Sequence, residues 1–503
     1  MTPKRRPWFI APAAICFVYG LCRFWRLTES CLRFDEIFSL HAASLSWSEM
    51  FWFVAQNLIY PPFGFVLLKL WTGAGGDGLF WARIFPIVFS VLTLAPFFFL
   101  CRELKLRLPT AALALFFTAV NGALIKYAQE VHIYAVFLFF AVFSLWIFAR
   151  YFYKGKNLWL LTALNVFLIY THYFGWLLVL SEIAAVAVLQ RIKIRQMAVM
   201  FGILLAAFAP WIYTVWRAAQ FDSEIAQNIG WIAKPGFDAA LEFALDLFEP
   251  FYFQASSIEP ASNYFVSVPL LLILAAAVFI RFADWKGGTD EEKQRLFLLL
   301  ILSALPVAFA FAASWIMPYS IWGTRHLIFV FPPAAVLAAL FLTEMKFRAV
   351  KIAFVSVIFI LSAAAFFIEA SRLQAQYIWC AWENLARNLD KNQPAKIYVF
   401  EDLVAYHFQY AVRESDRIEV VRVRNVPEIP EDTAYFLPRG FTGIRIADES
   451  EISGERFFVA FRDSAFNEKH PPLKNLKAKG YRIGEPKVFE TPGLKAFLVE
   501  VSK

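Results

Sequence analysis

The chain has 503 residues, of which 60% are hydrophobic and 57 are Phe, and its formal net charge is +8. With a mean hydropathy of +0.55, a water-soluble protein of this composition would aggregate, so the ordinary soluble classes are excluded. The positive balance does not indicate nucleic acid, because the basic residues sit in short clusters between apolar segments, as the positive-inside rule describes.

Lys4-Arg5-Arg6 precedes an apolar run at 8–21. The run is like a signal peptide, but no small-x-small cleavage site follows, and it passes into Arg23 and Arg26. It reads as an uncleaved first helix. A spanning helix needs about 20 largely apolar residues. About eleven segments qualify, two of them short: 8–25, 82–101, 109–126, 131–149, 157–171, 173–190, 197–216, 263–281, 296–316, 325–343 and 349–368. Basic clusters fill alternate connections: Arg102, Lys105 and Arg107; Arg150, Lys154 and Lys156; Arg191, Lys193 and Arg195; the mixed run 281–295; and Lys346, Arg348 and Lys351. All fall on the side of the N-terminus, which is thereby expected to be cytoplasmic. Segments 26–81, 127–130, 172, 217–262 and 317–324, and everything after 369, are expected to face outward.

The first outer loop carries Asp35-Glu36 after Arg33-Phe34. Carboxylates beside a bilayer are costly and are functional candidates by default. They read either as a general base with a partner anion, or as a helix cap and a local pair with Arg33. Within this loop, 58–71 is apolar but short, opens at Pro61-Pro62 and carries Lys69. Counting it as a span would put the basic clusters outside, so it is expected to be a juxtamembrane or re-entrant helix. A true short span is the alternative.

Arg83 opens the second span, and Arg325-His326 a later one that contains Pro332-Pro333. Arginines at outer helix ends either snorkel to lipid headgroups or clamp a phosphate with two parallel hydrogen bonds. The run Lys126-Tyr127-Ala128-Gln129-Glu130-Val131-His132-Ile133-Tyr134 is more polar than a short turn requires. Lys126 and His132 suit a phosphate there, and Glu130 suits a second carboxylate; an interfacial loop with Tyr at headgroup level is the plainer reading. His172 sits at another outer turn, where a lone His is more often structural.

After Glu369 the polarity becomes ordinary. Strand-like runs at 396–400, 418–423, 456–461 and 496–501 and helix-like stretches at 374–389 and 402–412 predict a small soluble α/β or α+β domain. The expected division is thus 1–368, an α-helical polytopic membrane domain, and 369–503, a soluble domain outside the membrane. Of the five Cys, Cys16, Cys22 and Cys101 fall in or beside spans. Cys31 and Cys380 share the outer side, and their spacing neither requires nor forbids a disulfide. No metal-ligand spacing compels a metal, although two or three carboxylates and a His could hold a divalent ion.

In order along the chain, these motifs resemble the GT-C superfamily of membrane glycosyltransferases. The likeness is to the bacterial branch that resembles protein O-mannosyltransferases and the lipid A aminoarabinose transferase. The matching residues are the basic first helix, Asp35-Glu36, Tyr60-Pro61-Pro62-Phe63 with Leu67-Leu68-Lys69-Leu70, Ala82-Arg83-Ile84-Phe85, the run at 127–130 with Tyr134, and Arg325-His326 before Phe331-Pro332-Pro333. They cover about the first 345 residues.

The resemblance implies transfer of a sugar from a polyprenyl-phosphate-linked donor to a lipid, glycan or protein acceptor, with inversion, at the outer face of a bacterial inner membrane. It implies Asp35 as base, with Glu36 and Glu130 as further acidic residues. It implies Arg83, Lys126, Arg325 and His326 on the donor phosphate, and Tyr60, His132, Tyr134 and His172 on substrate. Two departures stand out: Tyr60 replaces the usual His before Pro-Pro, and His132 replaces the usual Arg two residues after the Glu. A transporter or flippase of a lipid-linked or anionic substrate, and a non-catalytic scaffold, are the rival classes. The polar residues gather at outer helix ends rather than mid-membrane, and no inverted repeat is visible, which favours the enzyme.

Overall fold

A computed structural model describes residues 7–220, 230, 232–252, 264–283, 289–373, 376–390, 393–426 and 437–503. Lys4-Arg5-Arg6, part of the basic run 281–295, part of the outer segment 217–262 and the first residues of the helix-like stretch 374–389 lie outside them. Two compact units divide the chain: Met1–Leu27 with Val54–Leu373, and Thr28–Phe53 with Gln374–Lys503. Residues 28–53 therefore group with the C-terminal part of the chain rather than with the helices that follow them.

The first unit is helical and polytopic. In chain order it contains α1 (Pro7–Phe24), the C-terminal end of α3 (Trp47–Asn57), α4 (Phe63–Gly75), α5 (Leu79–Leu92), α6 (Leu94–Glu103), α7 (Leu108–Val120), α8 (Gly122–Gln129), α9 (Tyr134–Lys154), α10 (Leu158–Thr171), α11 (Gly175–Leu189) and α12 (Ile194–Ala219). Helices Phe237–Asp246, Tyr264–Ala283, Asp290–Ile316, Phe331–Thr343 and Arg348–Ser371 follow. Among the described residues six helical stretches are long and apolar enough to cross a membrane, and shorter apolar helices precede and separate them. Each expected span has a helical counterpart. The segment at 58–71 forms α4, whose 13 residues rise roughly 20 Å, less than the hydrocarbon thickness of about 30 Å.

The expected span 109–126 is not one helix. It breaks at Asn121, whose Oδ1 accepts the Leu124 N–H at 2.9 Å and caps α8. Asn121 Nδ2 donates to the carbonyls of Asp246 and Leu247 at 2.9 and 3.1 Å. Gly122 allows a close approach there: a Cβ would sit 3.0 Å from Tyr252 Cβ. The break leaves the last carbonyls of α7 without helical partners. Buried Arg23 fills that need, donating to Ala119 O at 2.7 Å and Thr118 O at 3.2 Å. Deeper in the helices, Ser144, Asn165 and Glu182 join α9, α10 and α11 through a buried ring of side-chain hydrogen bonds of 2.6–2.9 Å. Polar contacts of this kind join spans where lipid is as apolar as the side chains.

The second unit holds α2 (Phe34–Ser44), the start of α3 and a six-stranded sheet, β1 (Ala395–Val399), β2 (Ile418–Arg424), β3 (Ile444–Asp448), β4 (Arg456–Asp463), β5 (Arg482–Thr491) and β6 (Leu494–Ser502). The strand order is β3-β2-β1-β4-β6-β5. β1 pairs parallel with β2 and β4, and β2 with β3, whereas β4, β6 and β5 are antiparallel. Alternate residues of the central strands pack both faces: Ile397, Val399 and Val420 against helix Asp402–Val412, and Tyr398, Val421 and Val459 against helix Pro471–Ala478 through Leu473 and Leu476. Cys31 and Cys380 form a disulfide with a Cα–Cα distance of 5.4 Å.

Candidate functional site

Within the helical unit the structure gathers five of the residues singled out in the sequence. α4 packs so tightly on the turn between α8 and α9 that a Cβ on Gly64 would lie 2.3 Å from Ile133 Cγ2. That approach brings Tyr60, just before α4, against the turn. Its hydroxyl lies 2.7 Å from that of Tyr134, and its ring is 4.9 Å from His132 and 5.1 Å from His172. His132 stacks on Tyr134 at 4.5 Å. His172 lies 5.4 Å from His326. The two departures noted in the sequence, Tyr60 and His132, thus pack on each other.

A cavity of about 460 Å³ opens beside this cluster. Tyr60, His172, Arg325 and His326 line its polar part, and Phe208, Trp211, Ile212 and Val215 of α12 line much of the rest. Arg325 and His326 stand on a 3-10 turn, Thr324–Val330, that leads into helix Phe331–Thr343. His326 Nδ1 faces the Ile321 carbonyl at 3.3 Å. A carbonyl only accepts, so that nitrogen carries the proton.

The other residues of this unit lie elsewhere on its elements. Lys126, on α8, places its ammonium 5.3 and 5.6 Å from the rings of Tyr127 and Tyr252. Glu130 is buried at the C-cap of α8, and its carbonyl accepts the His132 N–H at 2.6 Å. Gln129 donates to Trp25 O at 2.8 Å. Arg83, fully buried on α5, donates to Leu27 O at 2.7 Å.

Sequence reasoning missed Asp246 and Asn121. Asp246 Oδ2 accepts the Thr324 hydroxyl at 2.8 Å, while the Asp246 carbonyl accepts from Asn121. One residue thus joins the turn that bears Arg325 to the break that starts α8. The Asn-Gly pair inside an expected span was the available signal, since it favours a turn over a helix. Thr324→Val is expected to lower stability by about 1–3 kcal/mol, the usual cost of leaving a buried acceptor without its donor. Thr324→Ser, which keeps the hydroxyl, is expected to melt close to the unaltered protein in detergent.

The acidic pair belongs to the sheet-containing unit. Glu36 is fully buried, and its Oε2 accepts the Arg33 N–H at 2.9 Å, so it caps its own helix. Asp35 is half-buried in the first turn of α2. Several contacts hold that turn. Phe34 packs on Tyr406 at 4.6 Å, and the Tyr406 hydroxyl donates to Phe34 O at 3.3 Å. The Arg33 guanidinium lies 5.9 Å from each of the Tyr377 and Trp379 rings. Burial, and then the charge of Asp35, push the Tyr406 phenol well above its ordinary value, so it stays a neutral donor. Burial also lowers His41, on the same helix, to about 4. Among the described residues no group of three His, Cys, Asp or Glu side chains is arranged to hold a metal ion.

No family model and no characterised protein matches the sequence. Solved structures match its fold. ArnT from Cupriavidus metallidurans, in the apo state, aligns with a TM-score of 0.58 at 12% identity, over 98% of this chain and 97% of that one. The same protein bound to undecaprenyl phosphate aligns with a TM-score of 0.53 at 12% identity, over 98% of both chains. The oligosaccharyltransferase of Archaeoglobus fulgidus, in complex with Zn and sulfate, aligns with a TM-score of 0.50 at 13% identity, over 81% of this chain and 62% of that one. The chain therefore has an ArnT-like fold, that of a polytopic helical membrane protein with a C-terminal sheet domain.

Proposed function

We propose that the protein is a membrane glycosyltransferase that moves a sugar from a polyprenyl-phosphate-linked donor to an acceptor, with inversion. The observation that carries this reading is the cavity of about 460 Å³ that sets Arg325, His326 and His172 against a long apolar wall from α12. A charged phosphate on a greasy chain has that same division. The fold supports the reading, since one ArnT structure of the same fold holds undecaprenyl phosphate.

In the proposed reaction Asp35 takes the proton of the acceptor hydroxyl as its oxygen attacks the anomeric carbon. The bond from that carbon to the phosphate oxygen breaks, and the polyprenyl phosphate leaves as an anion. Arg325 stabilises that charge, with Lys126, Arg83 and His326 as further basic groups of the donor side. A lipid phosphate is a good leaving group, so no strong general acid is required. Glu130, Tyr60, His132 and Tyr134 are assigned to orienting the sugar and acceptor. The Cys31–Cys380 disulfide favours an oxidising compartment for the sheet domain, outside the cytoplasm, as does the alternation of basic connections. A bacterial inner membrane with the reaction on its outer face fits both.

The test is incubation of the purified protein with a lipid extract containing polyprenyl-phosphate-linked sugars, followed by mass spectrometry. The expected result is a rise in free polyprenyl phosphate matched by an acceptor heavier by one sugar. A transporter or flippase would instead relocate the lipid-linked sugar with its phosphate–sugar bond intact, and that outcome would sink the proposal. Comparing envelope glycolipids and glycans of a deletion strain identifies the sugar and the acceptor.

A further inference from the structure

His172 forms the C-cap of α10 and is 2% exposed. Its Nδ1 accepts the backbone N–H of Phe174 at 3.0 Å. A ring nitrogen that accepts an amide hydrogen carries none of its own, so the neutral ring holds its proton on Nε2. Adding a second proton at Nδ1 would set N–H against N–H and break the bond to Phe174. The ring is also fixed in orientation: it stacks on Phe137 at 4.7 Å and lies against Tyr60 and Phe174 at 5.1 and 5.4 Å. Its Nε2 is buried and, among the described residues, has no hydrogen-bond partner. A buried donor left without an acceptor is costly and needs an explanation. The same side chain lines the cavity that Arg325 lines.

We infer that His172 is a fixed, neutral hydrogen-bond donor to a phosphate oxygen of the lipid-linked donor. The inference rests on the proposed function and assigns this residue a role within it. A sugar phosphodiester presents only acceptor oxygens at its phosphate, which suits one N–H beside a guanidinium. Because Nδ1 is committed to the backbone, His172 holds the phosphate and does not shuttle protons.

The experiment measures binding of undecaprenyl phosphate to the full-length protein in nanodiscs. His172→Phe keeps the stack on Phe137 and removes the donor; His172→Gln restores an N–H near the position of Nε2. The expected result is affinity lowered roughly tenfold in the Phe variant and within about threefold of the unaltered protein in the Gln variant. On the unaltered protein, nitrogen-15 imidazole shifts, assigned with the Gln variant, should show Nε2 protonated and Nδ1 bare between about pH 5 and 8. A protonated Nδ1 in that range overturns the inference, even if the Phe variant fails to fold. Unchanged affinity in the Phe variant overturns it too, as does a loss seen only with a sugar-bearing lipid, which would place the contact on the sugar. An unaltered protein that binds no undecaprenyl phosphate removes the proposed function itself, and this inference with it.

Discussion

Asp35→Asn is expected to lower sugar transfer by roughly 10²-fold or more, the usual scale of general acid–base catalysis. Asn has nearly the shape of Asp, and the first turn of α2 is held by contacts that Asp35 does not make. Glu36 caps the helix, Tyr406 bonds the Phe34 carbonyl, and the disulfide fixes the chain four positions earlier, at Cys31. The variant should therefore fold and still bind polyprenyl phosphate. Its neighbour should behave in the opposite way. Glu36→Gln weakens a cap and is expected to lower stability by about 1 kcal/mol with little loss of turnover. Turnover and melting, measured side by side on the two variants, decide the assignment. Near-normal transfer by Asp35→Asn would remove Asp35 from the mechanism.

Arg325→Ala carries the second large expected effect. In the proposed reaction charge builds on the departing phosphate oxygen as its bond to the sugar breaks, and a guanidinium would meet it with two parallel N–H donors in a plane. Lys offers a point charge without that fork. Turnover should collapse in Arg325→Ala and recover only in part in Arg325→Lys. Binding of free polyprenyl phosphate should weaken in Arg325→Ala by roughly 1.5–3 kcal/mol, the value of a hydrogen bond to a charged group. A side chain that merely snorkels to headgroups predicts unaltered turnover and affinity in detergent for both variants. The purified Ala variant separates the two cases.

The sequence made some of this architecture visible and concealed the rest for physical reasons. Long apolar runs announce spans because a bilayer imposes a length. The same averaging hid the break at Asn121, where one polar residue is outvoted by its apolar neighbours. In the sheet domain the central strands β1, β2, β4 and β6, rich in Val, Ile, Leu and Phe, were legible, as was helix Asp402–Val412. β5 was not: it is an edge strand, largely exposed, with Gly484 and a register shift between Ile483 and Pro486. Those features disrupt the alternation by which strands are recognised. β3 is also at an edge and has only five residues.

The site divides in the same way. Tyr60, His132, Tyr134, His172 and His326 stood out as polar residues at the ends of apolar helices, and the structure brings them into one cluster. The bond from Thr324 to Asp246 spans 78 positions in sequence. No local pattern records such a pairing. Glu36 shows the converse. Its sequence position beside Asp35 marked both as carboxylates near a membrane, and only the Arg33 N–H identified one of them as a helix cap.

The bond between Cys31 and Cys380 sets an order of events during synthesis. The two residues are 349 positions apart. At roughly 5–20 residues per second, Cys31 is made about 17–70 s before its partner. Through that interval it is a lone thiol, open to capture by any other oxidisable chain nearby. The turn bearing Asp35 is therefore tethered only after the whole helical unit, to Leu373, has been made, although it is among the first parts translated. A ribosome that stalls late would leave nearly all of the helical unit made, and the segment around Asp35 untethered.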